Sequence, residues 1–122
     1  MAPRRNRVRV YIAGPMTNGT GAFFNMAKIH EAIEAHFTLI KLGFVPLCPQ
    51  LTVFGEFMQP NDVPYEQWLE LDRCYIDDTD VVLRIEGESK GADSECDYAR
   101  SIGKPVVHGL TQFLVQYKEV CV

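Results

Sequence analysis

The sequence predicts a three-layer α/β sandwich around a mostly parallel sheet of four to five strands. Three observations lead there. Short β-branched runs alternate with segments of helical period, the order that feeds parallel strands through crossover helices. The 122 residues, 47% of them hydrophobic, suffice for one packed core and are too few for two, so residues 1–122 form a single domain. No internal repeat, low-complexity segment or linker interrupts the pattern.

Residues 7–12, Arg-Val-Arg-Val-Tyr-Ile, alternate polar with apolar and form the first strand, which ends at Ala13-Gly14-Pro15. Over 22–42 the positions Phe23, Met26, Ile29, Ile33, Phe37 and Ile40 recur every three or four residues and predict a helix that buries them, stopped by Gly43. Residues 44–48 are a short strand whose Pro46 cannot donate to a ladder, which places it at a sheet edge. Residues 49–61 have no clear period and read as a functional loop or lid. Asp62 then caps a helix with Pro64 in its first turn and Tyr65, Trp68, Leu69, Asp72 and Ile76 along one face. Residues 80–85 make a strand, 86–91 a turn, 92–102 a helix closed by Gly103, and 105–108 the last strand. A terminal helix follows over 110–118, with Leu110, Phe113, Leu114 and Tyr117 on one side. Right-handed crossovers favour strand order 2-1-3-4 in a flavodoxin-like or Rossmann-like sheet. Strands one and three are then neighbours whose connections leave to opposite faces. The crevice at their carboxyl ends, between loops 13–21 and 86–91, is the expected ligand site.

The net charge of −4 gives no overall attraction to polymeric nucleic acid or an anionic membrane, and no stretch approaches the ~20 apolar residues of a membrane span. Residues 1–6, with Arg4 and Arg5, read as a solvated, flexible tail that runs through Arg7 and Arg9 into the first strand. Cys48, Cys74, Cys96 and Cys121 form no Cys-x-x-Cys pair, and His30, His36 and His108 are not spaced with them as metal ligands. Four reduced thiols, no metal and a cytoplasmic location are the reading. The glycine-rich stretch 14–21 lacks both a Gly-Lys-Ser/Thr ending and Gly-x-Gly-x-x-Gly spacing, so a nucleotide triphosphatase or dinucleotide enzyme is disfavoured and no cofactor is expected. No serine sits in a Gly-x-Ser-x-Gly elbow.

Loop 86–91 delivers a helix start to the crevice, where free amides suit a phosphate. Ser89 adds a hydroxyl and Gly91 allows close backbone approach, although Ser-x-Gly before a helix also describes an ordinary cap. Glu95, three residues after Ala92 and four before Ala99, shares the small-residue face that packs on the sheet. A carboxylate there is costly unless paired or functional. Asp93 and Asp97 fall on other faces and read as solvated. Asp72 lies within the apolar stripe of the preceding helix, either in an ion pair with Arg73 or Arg84 or in a site. Tyr11 points away from Val10 and Ile12, where its hydroxyl could reach the crevice or simply pack. Tyr11, Asp72, Ser89 and Glu95 all map near one end of one sheet.

Tyr11-Ile12-Ala13-Gly14-Pro15-Met16, Asp72 eight residues before Asp80-Val81-Val82, and Ser89-x-Gly91-x-x-x-Glu95 together resemble the nucleoside 2-deoxyribosyltransferase superfamily over about residues 8–107. That group includes the 2'-deoxynucleoside 5'-phosphate N-hydrolases and small phage and bacterial relatives with the same Tyr-x-Ala-Gly-Pro-Met opening, which are the most alike. The resemblance implies cleavage of the N-glycosidic bond of a (deoxy)nucleoside 5'-monophosphate, releasing free base and sugar phosphate. It implies that Glu95 attacks or stabilises the anomeric carbon, Tyr11 hydrogen-bonds Glu95, and Asp72 positions the sugar and assists departure of the base. Gly14, Pro15, Met16, Ser89, Gly91 and Ala92 match substrate-binding positions. Transferases of unphosphorylated nucleosides carry an aspartate where Ser89 stands, so Ser89 beside Lys90 favours a 5'-phosphate. The chain departs from the pattern at Cys96-Asp97-Tyr98-Ala99, where relatives often have Glu-x-Gly-x-Ala after the glutamate; the lost small residue narrows the site. A homo-oligomer, dimer or larger, is implied by the resemblance, with Lys104, His108 and Thr111 as candidates to complete a neighbour's site. The alternatives are base exchange between deoxynucleosides, a nucleotide-binding module without turnover, and an interaction protein using Phe54, Phe57 and Met58.

Overall fold

Alternating β-branched segments pair entirely in parallel in the computed structural model, which describes residues 3–17 and 23–117. The strands are β1 (Arg9–Ala13), β2 (Val45–Leu47), β3 (Val81–Arg84) and β4 (Val106–His108), in the order β2-β1-β3-β4. This is the predicted order. Pro46 sits on the edge strand opposite Val10, where its missing donor breaks no central ladder. Tyr11 pairs with Val82 and Ala13 with Arg84, which fixes the register at the carboxyl end of β1 and β3.

Five helices cover the sheet: α1 (Met26–Lys41), α2 (Thr52–Met58), α3 (Tyr65–Asp77), α4 (Lys90–Ser101) and α5 (Leu110–Tyr117). Because successive strand residues point to opposite faces, two separate clusters form. Val10, Ile12, Val81, Leu83 and Ile85 bury against Ala32, Ala35 and Leu39 of α1 and Phe113 of α5. Tyr11, Ala13 and Val82 bury against Ile76 of α3 and Ala92, Cys96 and Ala99 of α4. The result is the expected three-layer sandwich.

Several expectations are corrected. α1 buries Ile29, Ala32, Ala35 and Leu39, while Phe37 and Ile40 are 53% and 46% exposed and Met26 and Phe23 also face outward. Ala32 and Ala35 let the helix approach the sheet between Ile29 and Leu39, and Met26, Phe37 and Ile40 are left on its far side. Residues 49–61 are not an irregular loop: a 3-10 turn (Pro49–Leu51) leads directly into α2. Asp62 does not cap α3; Pro64, already extended at φ −60° and ψ 149°, occupies the N-cap position and Asp62 belongs to the turn after α2. Ahead of β1, Arg4–Asn6 forms a single 3-10 turn. Residues 18–22 of the glycine-rich loop, and Cys121, lie outside the described residues. Cys48, Cys74 and Cys96 are free thiols. Among the described residues no helix is long and apolar enough to cross a membrane.

Candidate active site

The strand alternation that buries Val10 and Ile12 on one face sends Tyr11 to the other, where its side chain is fully buried under α4. Its hydroxyl donates a short hydrogen bond to Glu95 Oε2. Asp72, from the middle of α3, lies near the same hydroxyl. Three residues 61 and 23 positions apart in sequence thus gather around one hydroxyl oxygen.

Burial dominates the electrostatics of this trio. It pushes the Glu95 carboxyl up to about 7, against the relief supplied by Tyr11 and Arg84, and the Asp72 carboxyl up to about 6. The Tyr11 hydroxyl is driven far above the ordinary tyrosine range by burial and by the two carboxylates, so it stays protonated. Between those two values the carboxyl pair shares about one proton. A phenol has one proton to give, and Tyr11 gives it to Glu95. With Asp72 ionising at about 6 and Glu95 at about 7, the shared proton rests on Glu95, and above that range both carboxyls are anions.

Neither ion pair considered for Asp72 forms. Arg84 instead pairs with Asp93 at 2.9 Å, and the guanidinium of Arg73 lies over the Tyr98 ring at 5.1 Å. Asp93 is thus paired as well as solvated, whereas Asp97, 79% exposed, meets Arg100 on the surface. Asp72 also lines a cleft of about 430 Å³, whose walls include Met16, Phe24, Tyr65, Trp68 and Glu56. Glu95 is not among the cleft walls; Asp72 joins the cleft to the Tyr11–Glu95 pair.

The remaining predicted residues fall around this trio. Gly14 and Pro15 are buried where the loop after β1 crosses the turn after β3. A Cβ on Gly14 would lie 2.9 Å from Ile85 Cβ, so packing requires glycine there, and Gly87, at φ 128°, sits equally close to Pro15. Met16 is half-buried at the cleft. Ser89 is the N-cap of α4: its Oγ accepts from the Ala92 amide at 3.1 Å, which leaves the hydroxyl proton unused by the cap. Ala92 packs into the core, and Gly91 has open space where a side chain would be. Lys104 is half-buried beyond α4, the His108 ring meets Arg100 of α4 at 3.4 Å, and Thr111 lines a groove of about 500 Å³ on the opposite face of the sheet, between α1 and α5. Two buried polar residues were not anticipated as part of the site. Gln50 directs its amide to the carbonyls of Ile12 and Gly14, and Arg84 lies below α4. A proline-capped turn gives no signal for the first, and charge alone reads as solvent-facing for the second. Among the described residues no cluster of His, Cys, Asp and Glu could hold a metal ion.

A parallel sheet with two neighbouring, half-buried carboxyls beside Tyr11 of its central strand defines an α/β domain with an acidic site. The chain belongs to the family described as Domain of unknown function (DUF4406), whose model matches residues 8–108, a span that includes all four strands and Tyr11, Asp72 and Glu95. No curated protein matches it.

Proposed function

We propose that this protein cleaves the N-glycosidic bond of a (deoxy)nucleoside 5'-monophosphate, releasing free base and sugar phosphate. The observation that carries the reading is the Tyr11 hydroxyl bonded to Glu95 with Asp72 beside it, two carboxyls whose protonation burial has pushed toward neutral pH. Cleaving a glycosidic bond needs an anion beneath a positively charging anomeric carbon and a proton for the departing base. For that chemistry Glu95 serves as the anion and Asp72 as the proton donor, so the shared proton must lie on Asp72 once the substrate is bound. The likeness of the Tyr11–Met16 and Ser89–Glu95 segments to nucleoside 2-deoxyribosyltransferases supports the same assignment.

A Glu95 oxygen bonds C1' as the C1'–N bond breaks, and the base leaves with the proton of Asp72. Water then attacks C1', its oxygen replacing Glu95 and its proton returning to Asp72. Tyr11 orients Glu95 and holds its charge in place once the sugar is bound. The base lies in the 430 Å³ cleft against Phe24, Tyr65 and Trp68, since a planar heterocycle stacks on aromatic walls and the volume is in the range of small-molecule sites. The phosphate lies at the start of α4, where the Ser89 hydroxyl proton and the Lys90 charge are available. A cytoplasmic homo-oligomer completes the proposal.

Incubation with a panel of nucleosides and their 5'-monophosphates, followed by chromatography of the free base, tests it. Base released from monophosphates, with none of the other nucleosides formed when a second base is added, is the expected result. A new nucleoside would turn the reading to base exchange, and no base from any member of the panel would refute it. The single tryptophan, Trp68, gives an independent signal, because a base stacked in the cleft quenches its fluorescence.

A further inference from the structure

Arg84 ends β3 as a charged side chain only 5% exposed. Buried guanidinium groups persist where their donors are used and their charge is balanced. Its donors go to the carbonyls of Ile85 and Gly87, the latter at 2.9 Å, and to Asp93 Oδ1 at 2.9 Å. Two of these bonds close the turn after β3. The third holds the first turn of α4, two residues ahead of Glu95.

The charge is less evenly balanced than the hydrogen bonds. Asp93 is 68% exposed, so its counter-charge is screened by water, while the guanidinium stays inside. The register sets Arg84 opposite Ala13 and Val82 opposite Tyr11, so Arg84 rises on the same sheet face as the Tyr11 ring. Around Glu95 stand Tyr11 from β1, bonded to it, Asp72 from α3 and, through its bond to Asp93 two residues earlier on α4, the cation Arg84 from β3. Asp93, on α4 itself, competes with Glu95 for that cation.

We propose that Arg84 is a positioning residue of the acidic site: it clamps the 85–87 turn to the start of α4 and supplies the interior positive charge that faces Glu95. The inference rests on Glu95 being the reacting carboxylate. It has a consequence that a purely structural arginine would lack. Removing the Arg84 charge makes Glu95 harder to ionise, and removing the Asp93 charge makes it easier. The two substitutions act with opposite sign.

Carbon-13 NMR titration of the Glu95 carboxyl in the full-length protein measures this directly. The expected result for Arg84→Met is a midpoint raised by about half a pH unit or more, and for Asp93→Asn a lowered midpoint, with Arg84→Lys close to wild type. The low-pH limb of base release moves in the same directions. Midpoints that shift the same way in Arg84→Met and Asp93→Asn, that do not shift, or that shift as far in Arg84→Lys as in Arg84→Met overturn the inference. If Arg84→Met does not fold, Arg84→Gln, which keeps an amide donor for the turn but no charge, takes its place, and an unshifted Glu95 midpoint there overturns the inference. The titration needs no turnover, so a wild-type protein that releases no base refutes the proposed function while the midpoints still judge Arg84.

Discussion

The two faces of the sheet are built from neighbouring residues of the same strands, yet they differ in kind. Val10, Ile12, Leu83 and Ile85 point toward α1 and α5, into an apolar cluster where Phe44 and Phe113 meet edge to face at 5.2 Å. Tyr11 and Arg84 point toward α3 and α4, where Asp72, Asp93 and Glu95 surround them and the packing residues are small: Ala13, Ala92, Cys96 and Ala99. The first face contributes hydrophobic stability. The second holds carboxyls that burial penalises, and such a penalty persists in a fold where the groups have another use.

The contrast can be broken from either side. The largest effect is expected on the apolar face: Leu39→Ala, at a fully buried position, should lose about 4 kcal/mol through lost burial and a residual cavity, read as a lowered denaturant midpoint at every pH. The acidic face should behave in the opposite way. Glu95 ionises near its ordinary 4.5 when unfolded and at about 7 when folded, so between those values the folded state holds more protons and stability falls as pH rises. The cost is complete above pH 7. Glu95→Gln should therefore be more stable than wild type at pH 8 by about 3 kcal/mol, and nearly equal to it at pH 4, as thermal melts across that range will show. A Glu95→Gln protein that is less stable than wild type at pH 8 would end the comparison. The smallest effect sharpens the role of Ser89: Ser89→Ala should lose about 1 kcal/mol through its cap, with faster amide exchange at the start of α4.

Much of the site was legible because period-two alternation is a strict rule. Once Val10 and Ile12 are assigned inward, Tyr11 must face the other layer, and a 2-1-3-4 order carries it to the switch point. Asp72 and Glu95 stand out as carboxylates within helical packing stripes. The face of α1 was misread for a physical reason: Met26, Phe37 and Ile40 outweigh Ala32 and Ala35 in a hydrophobic count, although only the alanines allow close approach to the sheet. α2 was missed because seven residues span only two turns and Gly55 weakens the pattern further. Arg84 was legible only as a possible ion-pair partner. Its hydrogen bonds run to the carbonyls of Ile85 and Gly87, and a carbonyl that accepts such a bond leaves no signature in the side-chain sequence.

The central claim is that the Tyr11–Asp72–Glu95 trio breaks a glycosidic bond. The most direct test is the rate at which free base appears from deoxynucleoside 5'-monophosphates with wild type and with folded Glu95→Gln. The account predicts release by wild type and a loss of about a thousandfold or more in the variant, which keeps the Tyr11 hydrogen bond but cannot supply the anion. Equal rates in the two proteins would contradict it.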